Sequence, residues 1–97
     1  MIVAACVFEL DIPASGSLKD KRRVVQSALS RVRQKFAVSI AEVDALDQWD
    51  HALIGFAVVS NDGLHARQVA ERVVAFVEGT RLDAEVGTVQ IEILQPF

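Results

Sequence analysis

The residues best placed to do chemistry are basic, and most of them lie in one short stretch. Between Ser17 and Lys35 the chain carries seven of its ten lysine and arginine residues but only one of its thirteen acids, Asp20. The seven are Lys19, Lys21, Arg22, Arg23, Arg31, Arg33 and Lys35. Because the whole chain has a formal net charge of −3, this uneven distribution indicates one surface directed at an anionic partner.

The placement of these cations at the start of a predicted helix opposes helix stability. A helix N-terminus carries a partial positive charge, so each cation at residues 19–23 costs a few tenths of a kcal/mol. An anion bound by free N–H groups of the loop at 14–17 would offset that cost. The predicted anion- or RNA-binding site comprises Ser17, Lys19, Lys21, Arg22, Arg23 and Arg33. The alternative is a solvated helix face whose arginines form ion pairs with Glu42, Asp44 or Asp47.

A second polar group lies between Glu42 and His51, where five carboxylate or imidazole side chains fall within ten residues. Glu42 and Asp44 are expected on one face of a strand, where they could bind a hard cation such as Mg²⁺. The spacing matches neither an EF-hand loop nor a zinc motif, and a polar turn explains it with fewer assumptions. We therefore predict no metal site and no cofactor.

The residue types that usually perform catalysis are not arranged for it. His51 and His65 have no obvious nucleophile beside them in sequence, and the chain has no P-loop, GxGxxG motif or serine elbow. The single cysteine, Cys6, has apolar neighbours, which indicates a buried small hydrophobe. We predict a non-catalytic binding protein without catalytic residues. Two alternatives remain: a homodimer that docks an acidic protein partner, and a small-molecule-binding or enzymatic oligomer that uses the acidic stretch and His51.

The elements that must position these residues follow from hydrophobic periodicity. The patterns predict strands at 2–10, 36–44, 49–60 and 86–94 and helices at 17–34 and 63–78. A short turn at 45–48 makes the middle strands a hairpin, and Gly79 is expected to end the second helix in the left-handed conformation. With right-handed crossovers, this order predicts a single ferredoxin-like domain over residues 1–97. Its class is α+β, with a four-stranded antiparallel sheet and both helices on one face.

The sheet face away from the helices is expected to be apolar, since the strands at 2–10 and 49–60 carry aliphatic side chains on both faces. Such a face usually forms an interface, so a homodimer is predicted, although the C-terminal tail could instead cover it in a monomer. Trp49 is expected to anchor the hairpin by packing, or to contact a partner.

No apolar run reaches the ~20 residues that span a bilayer, and the N-terminus does not resemble a signal peptide. We expect a cytoplasmic protein.

One combination of motifs resembles a known family. Ser17-Leu18-Lys19-x-Lys21-Arg22-Arg23 is followed by Arg33-x-Lys35-Phe36-x-Val38-Ser39, Asp47-x-Trp49 and Gly55-x-Ala57-Val58-Val59. This pattern is similar to the YlxP family of small bacterial proteins, a domain of unknown function. The resemblance implies a ferredoxin-like fold. It also implies a role near the ribosome or RNA, because the family's gene often neighbours those for translation initiation and ribosome-binding factors. Ala37 departs from the asparagine usual in the family.

Overall fold

The computed structural model describes residues 1–80 and 83–97. Its elements, in chain order, are β1 (Ile2–Asp11), α1 (Leu18–Lys35), β2 (Ser39–Asp44), β3 (His51–Ser60), α2 (Gly63–Gly79) and β4 (Glu85–Leu94). The strands form one antiparallel sheet in the order β2-β3-β1-β4, and the two helices pack on one side of it. The predicted ferredoxin-like α+β fold is confirmed.

The core lies between the helices and the two central strands. Alternate residues of β1 and β3 point into it, beginning with Ala4 and Ala52, and the Phe8 and Phe56 rings meet edge to face with centroids 6.2 Å apart. The opposite residues of β1 are only half-buried, because no helix covers that side of the sheet. On the helix side of β1, Ala4, Cys6, Phe8 and Leu10 are buried and Ile2 is half-buried.

Several element ends differ from the prediction by one to three residues, and two of them have a clear structural reason. Phe36 does not begin β2 but is the C-cap of α1, where its ring packs edge to face on Phe76 at 5.6 Å. Gly79 is the last residue of α2 and has a negative φ, so its predicted left-handed conformation is wrong. Instead, Thr80 ends α2: its N–H donates to Phe76 O and Val77 O, and its hydroxyl donates to Val77 O at 2.7 Å. The backbone N–H and the hydroxyl of Thr80 therefore satisfy carbonyls at the end of α2 without a left-handed glycine.

The sheet face that the helices leave uncovered is largely apolar along β1 and β3, and a bulge in the edge strand β2 projects from it. A bulge in β2 makes Val43 an extra residue opposite β3, and its side chain lies over Gly55. A β-carbon on Gly55 would come within 2.9 Å of Val43 Cγ1, so the bulge requires glycine or a shift of Val43 at this point. Val43 and Val59 are more than half exposed, although both are large and apolar. Among the described residues, no helix is long and apolar enough to cross a membrane.

Candidate functional site

The start of α1 is capped by its own side chains. Ser17 Oγ accepts a hydrogen bond from the Asp20 N–H at 3.1 Å, and Asp20 Oδ2 accepts one from the Gly16 N–H at 3.2 Å. This is a capping box displaced by one residue, since the carboxylate reaches Gly16 rather than Ser17. The Asp20 carboxylate thus already occupies the position where we expected an external anion to meet the loop. Ser17 serves the helix as its cap.

A cavity of about 180 Å³ beside this cap is also unsuited to an anion. Of the residues that the structure describes, two carboxylates, Asp20 and Asp83, line it together with one cation, Arg23. The rest of its lining is small or apolar, and Ser15 turns inward to donate from its hydroxyl to Ser17 O at 3.0 Å. Apart from Arg23, the cations open to a partner lie on the exposed side of α1, outside this cavity.

Lys21 is buried, which contradicts its predicted place in an anion-binding site. Only 1% of the residue is exposed, and Nζ donates to Ala45 O at 2.6 Å. Nζ also lies 2.7 Å from Glu42 Oε2, which makes an ion pair, although the angle is outside the hydrogen-bonding range. Ala45 has φ of 59°, and the lysine holds this left-handed residue at the turn after β2. Lys21 therefore fastens α1 to the β2–β3 hairpin and is not available to a partner.

The other six cations of α1 are exposed, and they differ in what they contact. Arg33 Nη2 donates to Ile40 O at 2.7 Å, at the outer edge of β2, and Lys35 Nζ lies 4.8 Å from the centre of the Phe76 ring. Within residues 1–80 and 83–97, none of the six lies within 4.0 Å of a carboxylate. The expected pairing of arginines with Glu42, Asp44 or Asp47 is therefore wrong for the described residues, where only Lys21 reaches an acid of this stretch.

The acidic stretch does not gather into a cation site. Glu42 is engaged by Lys21, and the bulge at Val43 sets Glu42 opposite Ile54 but Asp44 opposite Leu53, so the strand alternation that would align them is broken. In the part of the chain that the structure describes, no three His, Cys, Asp or Glu residues are grouped to hold a metal ion.

Trp49 and His51 have roles that the sequence pattern did not assign. The Trp49 side chain is 50% exposed, so at most half of it can pack as predicted, and Leu46 in the same turn is 61% exposed. His51 Nδ1 lies 2.8 Å from Asp11 Oδ1, across the paired ends of β1 and β3. β1 ends at Asp11 and β3 begins at His51, and antiparallel pairing brings these two strand ends together. The polar residues at the two strand ends were therefore the signal for this contact. The Asp11 and His51 side chains are both partly exposed.

Cys6 is packed in the core, and burial raises the pKa of its thiol to about 11. We expect iodoacetamide at pH 8 to leave the native protein unmodified and to alkylate Cys6 fully in urea. Because the folded pKa is above the unfolded one, this thiol favours folding below pH 9, and that contribution is lost between pH 9 and 11. Mass spectrometry measures the alkylation. Rapid modification of native protein would show that the thiol is accessible.

Comparison with known proteins agrees with these features. The model of a family described as "Protein of unknown function (DUF503)" matches residues 3–91. The chain belongs to this family. It is similar to the "Uncharacterized protein YlxP" of Bacillus subtilis (strain 168), with 41% identity over 64 residues that cover 66% of this chain and 70% of the relative. The YlxP resemblance of the sequence motifs is thereby confirmed. The family description assigns no activity, and the exposed cations of α1 are the feature of this chain that points to a function.

Proposed function

We propose that this member of DUF503 is a non-catalytic, cytoplasmic RNA-binding protein that associates with structured RNA of the ribosome or its precursors. The observation that carries the proposal is the set of exposed cations on α1, none of which lies within 4.0 Å of a carboxylate of the described residues. In a chain of net charge −3, these cations make α1 the side that a polyanion approaches. The gene neighbourhood implied by the YlxP resemblance supports the ribosome as the source of that RNA.

The contacts of this surface would be made chiefly to phosphates. Lys19, Arg22, Arg23 and Arg33 are exposed, and long flexible or forked cationic side chains bind phosphate without reading sequence. Four such contacts release four counterions, so affinity for RNA should fall about 10²-fold between 50 and 200 mM salt. An acidic protein surface is the alternative partner for the same cations.

Sedimentation with ribosomal particles separates these two partners. Wild-type protein should sediment with the particles in a sucrose gradient at 50 mM salt and leave them at 200 mM. Nuclease digestion should release it at low salt, since RNA provides the phosphates. Retention on the digested, protein-rich fraction would support an acidic protein partner, and absence from the particles at 50 mM salt would contradict ribosome association.

A homodimer formed through the uncovered sheet face is a second proposal, and it concerns assembly rather than the RNA surface. Val3, Ala5, Val7, Leu53 and Ala57 lie on this face with the more exposed Val59. Four strands of up to ten residues give a face of at most roughly 19 by 33 Å, or about 630 Å² in projection, which is of the same order as the ~800 Å² that each partner contributes to a standard interface. The groove on the β2 side of this face is lined mainly by small apolar side chains, whereas Gln90 and Glu92 lie beside Val7 and Ala5 on the β4 side.

Sedimentation velocity at micromolar concentration tests the dimer. The wild-type chain should sediment at twice its 10.6 kDa mass. Val59→Asp, near the end of β3 on the proposed interface, should shift the protein to the monomer because an unpaired charge at an apolar interface is costly. Leu64→Asp is the matched control: Leu64 is 66% exposed but lies in the first turn of α2, away from the sheet face. A wild-type monomer would contradict the proposal.

A further inference from the structure

One side of α1 carries cations at its two ends and uncharged polar residues between them. Arg22, Gln26, Ser30 and Arg33 are all exposed, and their spacing of four, four and three residues aligns them in a single stripe. The segment 24–30 has no charged residue. At 1.5 Å of rise per residue, Arg22 and Arg33 are about 16 Å apart along the helix axis. The stripe thus offers two separated anion contacts with hydrogen-bonding groups in the middle.

We propose that this stripe binds double-stranded RNA across its shallow minor groove. The wide minor groove of A-form RNA exposes 2′-hydroxyls between two phosphate backbones, so it presents anions at both sides and neutral polar groups in the centre. Arg22 and Arg33 contact the two backbones, and Gln26 and Ser30 exchange hydrogen bonds with 2′-hydroxyls. This inference rests on the proposed function and specifies the class of RNA that the surface takes.

The hydrogen bond between Arg33 and β2 positions the cation at the C-terminal end of the stripe. Its Nη2 donates to Ile40 O, which fixes the guanidinium beside the edge of the sheet. A guanidinium has five N–H donors, so the remaining ones stay available for a phosphate. Lys19 and Arg23 flank Arg22 at the other end and are also exposed, which strengthens the positive potential there.

The aromatic residues argue against a single-stranded ligand. Single strands bind on rows of aromatic rings that stack with successive bases. Here Phe8 and Phe56 are buried in the core, while Phe36 and Phe76 are half-buried and pack on each other. The two remaining aromatic residues, Trp49 and Phe97, are exposed but adjoin opposite ends of β1, through the Ile12–Asp50 and Met1–Phe97 hydrogen bonds. No row of bases could stack on both.

Binding of matched nucleic acids tests this inference. Fluorescence anisotropy at 50 mM salt would compare a mixed-sequence RNA duplex of 16 base pairs with one of its strands and with the DNA duplex of the same sequence. We expect RNA duplex to bind about ten-fold tighter than DNA duplex, the difference that two neutral hydrogen bonds to 2′-hydroxyls provide. It should also bind clearly tighter than the single strand.

The double variant Gln26→Ala with Ser30→Ala tests the centre of the stripe. It changes no charge and introduces strong helix formers, so it should fold and keep the salt dependence of the wild type. It should lose the ten-fold preference for RNA duplex over DNA duplex, whereas Gln68→Ala, an exposed glutamine on α2, should keep it. Equal loss in both variants would overturn the assigned contacts.

The outcomes separate this inference from the proposed function. If the single strand binds as tightly as the duplex, and reversal of Arg22 and Arg23 weakens both, the helix is an RNA-binding surface but the duplex-groove inference is wrong. If no RNA binds at 50 mM salt, both are wrong. A preference for RNA duplex that disappears in the Gln26 and Ser30 double variant supports both.

Discussion

Replacement of Lys21 by methionine is expected to lower the free energy of unfolding by about 3 kcal/mol, at the lower end of the range for breaking a buried ion pair. The change keeps the aliphatic stem but removes the ammonium. The Glu42 carboxylate, whose side chain is only 15% exposed, then loses its ion-pair partner, and Ala45 O loses its donor. Part of the carboxylate still reaches water, which is why the lower end applies. Urea denaturation monitored by circular dichroism measures the loss.

Lys19→Met is the matched control for this prediction, because it makes the same change two residues earlier at an exposed position of the same helix. Its stability should remain within about 0.5 kcal/mol of wild type. Adding Glu42→Leu to Lys21→Met should restore part of the stability, since it removes the buried carboxylate that has no partner. If Lys21→Met proved as stable as Lys19→Met, the buried ion pair would not be fastening α1 to the hairpin.

Reversal of Arg22 and Arg23 to glutamate is expected to weaken RNA binding by at least ~10²-fold at low salt, because two phosphate contacts are lost and two repulsive charges are added. The same variant should be about as stable as wild type. Arg22 and Arg23 are the fifth and sixth residues of α1, where the dipole effect has largely decayed, and both are exposed, so their replacement should cost little stability. Lower affinity with little loss of stability would indicate that these residues are kept for binding.

Arg67→Glu with Arg72→Glu is the matched control, since both arginines are exposed on α2 and the change in net charge is identical. This control should reduce affinity only slightly, through the long-range field of the protein. A loss equal to that of the α1 variant would show that net charge, and not the surface of α1, governs binding.

The fold could be predicted from the sequence because its signals are local. The period-two alternation of β1 and the period-3.6 stripe of Val25, Ala28, Leu29 and Val32 each required one buried face, and right-handed crossovers then left few ways to close the sheet. The element ends were predicted less accurately than the elements themselves. Phe36 is not part of β2 because its ring packs on Phe76 of another element, a tertiary contact. At the end of α2 two local caps compete, and Thr80 rather than Gly79 caps the helix.

The candidate site was predicted only in part, and Lys21 shows why. Its position four residues before Val25 lies on the apolar stripe of α1, so helical periodicity alone indicated burial. Its positive charge favoured the surface, and the partner that makes burial possible could not be derived. Glu42 lies on another element, and its inward direction depends on how α1 docks on the sheet and on the bulge at Val43. Exposed residues such as Arg22 needed no such partner and were placed correctly on the surface.

The central claim, that the outer surface of α1 binds RNA through phosphate contacts, is tested most directly by the salt dependence of affinity. The affinity of the wild type and of the Arg22→Glu, Arg23→Glu variant for a ribosomal RNA fragment would be measured between 50 and 200 mM salt. The slope of log K against log salt should be about two units shallower in the variant, because two phosphate contacts are missing. Equal slopes and equal affinities in the two proteins would contradict the claim.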